Sequence, residues 1–190
     1  MARPSLREDI IKAAVEQFHT FGFTAAGVKD ITAAAGAPKG SFYNHFESKE
    51  ALAVIALERY GATRGLADLG DTSVPPLARL RRHFEAMRDE NLGYGFSRGC
   101  LIGDLATEIA DHSEVVRTAV RDSLQYWCDA LSGTIAEAQQ AGEVSKALEP
   151  DTIARFVLSA WEGALISARS DKSAKSFEAF FTVVFGVVLR

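Results

Sequence analysis

Val116, Val120, Leu124, Trp127, Leu131 and Ile135 recur every three or four residues through positions 111–142, a spacing that a β-strand cannot place on one side. Only a helix of many turns does so. A long helix with a single apolar stripe must also lie against other elements, which makes this chain an assembly of helices before any other segment is considered.

The remaining sequence follows the same period. Ser5 and Glu8 form an S-x-x-E capping box ahead of Ile10, Ala14, Phe18 and Phe21, and Gly22 with Phe23 supplies a glycine stop with a following apolar contact. Val28, Ile31 and Ala35 make a second, short period that ends at Gly36. Ala37 and Pro38 then break the chain, and 39–46 has room for about two turns. Ser48 opens a long helix with Leu52, Ile55, Ala56 and Tyr60 facing inward, weakened later by Gly61, Gly65 and Gly70. Val74-Pro75-Pro76 starts another through Leu80, Phe84 and Met87, GYGFSRG at 93–99 is a loop, and 100–110 is helical again. The expected fold class is all-α. At 190 residues, 47% of them hydrophobic, the chain can bury the core of one or two domains.

Charge becomes informative once it is divided. The first 50 residues balance six basic against six acidic side chains, and the rest carry the whole net charge of -4. A body of that sign repels nucleic acid, so any anionic partner must be met by a local arrangement. GAPKGSFYNHFESKEAL at 36–52 offers one. Phe42 and Phe46 share a face that packs inward, leaving Lys39, Ser41, Tyr43 and Asn44 outward, and Lys49 stands in the first turn of a helix, where a cation opposes the helix dipole. Two short helices about a glycine-containing turn, braced by a longer helix, describe a helix-turn-helix. A helix fits the major groove of DNA, and Lys49 with the first N–H groups after Ser48 can grip a phosphate. Gly40 allows close approach of a neighbour. On periodicity alone, an amphipathic surface helix without a ligand fits as well.

The run GFTAAGVKDITAAAGAPKGSFYNHFESKEAL resembles, element for element, the DNA-binding domain of the TetR family of bacterial repressors. The resemblance implies an all-α homodimer with an N-terminal three-helix helix-turn-helix domain over 1–47 and a C-terminal helical inducer-binding and dimerisation domain over 48–190. It places Lys39, Ser41, Tyr43, Asn44 and His45 against double-stranded DNA, with Thr24, Lys29 and Lys49 on the phosphates. Gly27 departs from the pattern, since the family usually has Ser or Thr there. A DNA operator and a small-molecule inducer are implied as partners; a two-turn helix reads too few base pairs alone, so the operator is expected to be palindromic, no cofactor is expected, and Cys100 and Cys128, without CxxC or Cys/His spacing, suggest no metal.

The segment 177–189 (FEAFFTVVFGVVL) carries only Glu178 and Thr182 as polar side chains, so it must be covered on both sides. One cover is its own domain. The other is a second subunit, or the segment is an internal core helix. The first alternative makes Ile153, Phe156, Trp161, Phe177, Phe181 and Val184 interface residues. No segment is long enough to span a bilayer, and 1–9 lacks the apolar core of a signal peptide, which points to the cytoplasm and no membrane.

Catalytic signals are weak. GYGFSRG misses the dinucleotide fingerprint by one residue, there is no G-x-S-x-G or H-E-x-x-H, and His19, His83 and His112 are expected at the surface. A helical-bundle enzyme or adaptor without DNA binding is the alternative from another class. Cys100 precedes a helix and follows Arg98 and Gly99, a setting that favours thiolate, whereas Cys128 beside Trp127 reads as a small buried hydrophobe. RGCLIGDLATE resembles the body of TetR-family repressors that respond to acrylate or to electrophiles. Cys100 is thus either a sensor thiol or one apolar wall of a noncovalent cavity with Phe84, Met87 and Trp127.

Overall fold

The computed structural model describes residues 5–190; positions 1–4, the start of the stretch read for a leader, lie outside the described residues. All regular structure among the described residues is helical. Contacts gather into two compact units, one holding the chain up to Thr63 together with Cys100–Ser123, the other Arg64–Gly99 with Leu124–Arg190.

In the first unit, Ser5 caps α1 (Leu6–Ala25) by accepting the Glu8 N–H at 3.4 Å. The Glu8 carboxylate turns away to Arg59, at 2.7 Å. Gly22 leaves the helical region at φ 81°, a conformation open to glycine. Phe21, expected inward, is exposed just before the break, and beyond it Phe23 turns in to meet Phe18 at 5.6 Å between ring centroids. α2 (Val28–Ala34) follows, capped by the bare backbone of Gly27, and Gly36 at φ 65° turns the chain toward a short helical segment, Lys39–Asn44. That segment is a 3₁₀ turn and not the expected α-helix. Its brevity, Pro38 before it and Gly40 within it leave too few i→i+4 bonds to set the wider geometry. Ser48 caps α3 (Lys49–Gly61), accepting the Ala51 N–H at 3.0 Å, and α3 buries Leu52, Ala56 and Tyr60 as the spacing indicates. α5 (Leu101–Glu108) adds Leu101, Ile102 and Leu105 to this core.

The second unit begins with a 3₁₀ turn, Leu66–Gly70, and α4 (Pro76–Gly93), which carries proline at its first position. α6 (Glu114–Gln140) starts in the first unit and continues into the second; its stripe is buried at Val116, Val120, Trp127, Leu131 and Ile135 and half-buried at Leu124. α7 (Pro150–Asp171) and α8 (Lys175–Val183) close the chain, with a π-helical turn over Val184–Val188. Phe84 sits among Trp161 and Phe180, at 5.2 and 5.0 Å. Arg79 is buried, its guanidinium bonded to the Leu69 carbonyl and the Glu137 carboxylate.

Two histidines expected at the surface are core residues. His19 packs edge-on to Tyr60 at 5.1 Å, and His83 accepts the Trp127 indole N–H at 3.0 Å. An aromatic ring with one satisfied nitrogen buries more readily than its polarity suggests, because the indole supplies the partner. Burial, assisted by the Arg64 charge, lowers the His83 pKa to about 4. The unfolded chain therefore takes up a proton that the native state refuses as pH falls through about 6.5, so the stability His83 contributes is complete above that value and is lost down to about 4. The loss at pH 4.5 is about 2.5 kcal/mol by this linkage. Urea unfolding at pH 7 and 4.5 checks it: the deficit of His83→Gln relative to wild type shrinks by about that amount at the lower pH, and a deficit that stays constant would contradict the assignment.

Candidate nucleic-acid interface

The 3₁₀ turn owes its orientation to two rings. Phe42 and Phe46 are buried with centroids 5.4 Å apart, and the Arg7 guanidinium lies 5.4 Å from the Phe46 centroid. With those rings inward, Lys39, Tyr43, Asn44 and His45 are exposed, and Tyr43 shows 67% of its surface. A Cβ on Gly40 would meet nothing within 4 Å in the chain, so the backbone there is open to close approach from outside. Ser41 differs from expectation: it is half-buried, and its hydroxyl donates to the Pro38 carbonyl at 2.6 Å, which braces the turn from within.

Thr24 and Lys49 converge at the corner where α1 unwinds. The Lys49 ammonium donates to the Phe23 carbonyl and stands 4.2 Å from the Phe23 ring centroid. Half-burial lowers its pKa below the usual lysine value, opposed by the carboxylates of Glu50 and Glu108. A cation unfavourable in the first turn of α3 thus serves the carbonyl end of α1, where positive charge is favourable. The Thr24 N–H donates to Glu108 Oε2 at 2.9 Å. Lys29 is exposed on α2. Glu108 is the residue of this corner that the sequence reading missed. Its partner lies 84 positions away, and the one local sign is Gly22, where a Cβ would come within 2.2 Å of Glu108 Oε1.

Phe84, Met87 and Trp127 all belong to the second unit and are buried. Cys100 occupies the N-cap position of α5 in the first unit, 4% exposed, with its carbonyl accepting the Asp104 N–H at 2.8 Å. In the second unit, Lys172 Nζ donates to the Phe96 carbonyl at 2.8 Å, tying down the loop that leads to Cys100. Burial pushes the Cys128 thiol up, in keeping with its reading as a small hydrophobe. Among the described residues, no group of three His, Cys, Asp or Glu stands where it could hold a metal ion.

Of the residues expected at a subunit interface, Ile153, Trp161, Phe177 and Val184 are buried within the chain, and Trp161 stacks on Phe177 at 5.2 Å. Phe156 is exposed and Phe181 half-buried, the latter with the Arg88 guanidinium 5.3 Å from its centroid. Ile166, Val183 and Val187 add exposed apolar surface. Between α7 and α8 lies a groove of about 260 Å³ edged by Phe156, Ala160, Gly163, Ala179 and Val183.

Residues 10–54 match the family described as bacterial regulatory proteins, tetR family, and residues 76–184 match the tetracyclin repressor-like C-terminal domain. The HTH-type transcriptional repressor DhaR of Mycobacterium sp. strain GP1 is 36% identical over 100% of this chain and 95% of its own length. The transcriptional regulator AcuR of Cereibacter sphaeroides is 34% identical over 94% of this chain and 83% of its own. Among solved structures, a regulatory protein TetR from Rhodobacter sphaeroides superimposes with a TM-score of 0.89 at 33% identity, covering 98% of this chain and 100% of that one. The reduced form of NemR from E. coli does so with a TM-score of 0.85 at 26% identity, covering 96% and 97%.

Proposed function

The chain belongs to the TetR family of DNA-binding transcriptional regulators, and we propose that it acts in the cytoplasm as a homodimeric repressor that leaves a palindromic operator when a small molecule binds. In this reading 1–47 is the DNA-binding domain and 48–190 the inducer-binding and dimerisation domain. The observation that carries it is the segment 39–46: Phe42 and Phe46 are spent on the core, and Lys39, Tyr43, Asn44 and His45 face outward beside a backbone that Gly40 leaves open. Base edges in the major groove are the surface that these donors and acceptors suit. Thr24, Lys29 and Lys49 contact phosphates; Lys49 gives one N–H to Phe23 and keeps two for DNA.

One short turn reads too few base pairs for useful specificity, so two copies act together. The apolar surface left on α7 and the last helical turns supports pairing there. Phe156, Val183 and Val187, exposed in the single chain, together with Phe181, form the seam, with Ile153, Trp161, Phe177 and Val184 as its backing. DhaR and NemR, to which the chain is similar, are named repressors, which supports repression over activation.

Titration of a palindromic duplex tests the DNA reading. Lys39→Ala and Asn44→Ala each cost roughly 1 to 3 kcal/mol on the operator and little on random DNA. Lys49→Ala instead weakens both duplexes alike and lowers the salt slope by about one unit. Variants of Lys39 and Asn44 that bind the operator as tightly as wild type would remove the turn from the interface.

The inducer acts through Cys100 in our first reading, in which its thiolate adds an electrophile and the bulk displaces α5. The position at the head of α5 supports this, and one solved relative is described in a reduced form. A noncovalent inducer is the second reading, favoured by the burial of Cys100 at 4% exposure. Release of DNA by N-ethylmaleimide separates them. In the first reading wild type and Cys128→Ser let go while Cys100→Ser holds, and equal release from Cys100→Ser would eliminate the thiol trigger.

A further inference from the structure

The Glu108 carboxylate occupies a place that the DNA reading reserves for phosphate. It accepts the Thr24 N–H at 2.9 Å and fills the space beside Gly22, where a Cβ would come within 2.2 Å of Oε1 and 3.0 Å of Oε2. It also acts on the charge of Lys49, whose ammonium sits at the neighbouring Phe23 carbonyl. A backbone N–H beside a lysine forms a small anion site, and here an anion of the chain itself fills it.

We infer that Glu108 is an internal stand-in for a DNA phosphate: carried on the last turn of α5, it competes with DNA for Thr24 and Lys49 and so sets how much of the head's positive charge is available. The inference rests on the DNA-binding reading above. A tie between α5 and α1 could use any neutral acceptor, whereas a carboxylate at this corner also repels an incoming phosphate. The phosphate and the carboxylate cannot share one N–H in line. DNA binding therefore requires the carboxylate to withdraw, and α5 to shift with it, or leaves it in place as a standing repulsion. Coupling of this kind is reciprocal: whatever presses α5 onto the corner weakens DNA binding, and bound DNA resists that movement. Cys100 caps the other end of the same eight-residue helix, so an event at that end has a short, rigid path to the phosphate contacts.

The full chain is titrated with a palindromic and a random duplex at several salt concentrations, as wild type, Glu108→Gln and Glu108→Ala. Glu108→Gln keeps the shape and an acceptor for the Thr24 N–H while removing the charge. Both variants bind both duplexes tighter, roughly three- to tenfold at low salt, with a salt slope steeper by up to about one ion. In a Lys49→Ala background most of that gain disappears. Urea unfolding of Glu108→Gln with an unchanged midpoint shows that the fold is intact. Equal or weaker binding by a stably folded Glu108→Gln would reduce Glu108 to a structural tie and overturn the inference. Wild type that binds neither duplex would sink the DNA-binding reading itself, which is a distinct result.

Discussion

Burial of Phe42 and Phe46 holds in place the surface proposed to face DNA. A six-residue 3₁₀ turn makes too few hydrogen bonds to hold itself in water. Its conformation survives because two rings, 5.4 Å apart and both nearly or wholly buried, anchor it to the helices behind. Each fully buried phenylalanine contributes about 1.5 to 3 kcal/mol of transfer free energy, enough to outweigh the weak local propensity around Gly40. Once those two are placed, the chain has no choice about which side chains point away.

The corner at Gly22 is the second fixed point. Glycine lets α1 unwind, the unwinding swings Phe23 inward and frees its carbonyl, and Lys49 arrives from the next helix but one to cap it. The same bare Cα makes room for Glu108 from α5. Three helices thus meet through one glycine. A substitution there meets both the strain of φ 81° and a carboxylate in the way. In the second unit the comparable role falls to Phe84 and Trp161, around which Phe177 and Phe180 gather, while the Trp127 indole N–H and one His83 nitrogen satisfy each other.

Much of this was legible from periodicity. The stripe of α6, the inward face of α3 and the caps at Ser5 and Ser48 follow from spacing of three and four and from side-chain oxygens at helix starts, both of which act over a few residues. What periodicity could not reach was contact between distant positions. Spacing places Phe21 inside although it is exposed and Phe23, beyond the break at Gly22, is the buried ring, and it gives no reason to bury His83 because Trp127, its partner, stands 44 residues away. The helix dipole and the family resemblance point Lys49 at a phosphate, and neither reveals the Phe23 carbonyl that it caps from 26 positions away. The nearly unbroken apolar run of the last helices requires cover on two sides: Trp161 and Phe177 are buried in the chain's own core, and Phe156, Ile166, Val183 and Val187 are the exposed remainder.

The proposed function requires that the turn at 39–44 read a defined DNA sequence twice, once in each subunit. Selection of ligands by the purified full chain from random double-stranded DNA measures that directly. An enriched inverted repeat with two identical half-sites at one fixed separation is the expected result, because the spacing of two heads is set by the protein. Recovery of no enriched sequence, or of single half-sites without symmetry, would contradict it.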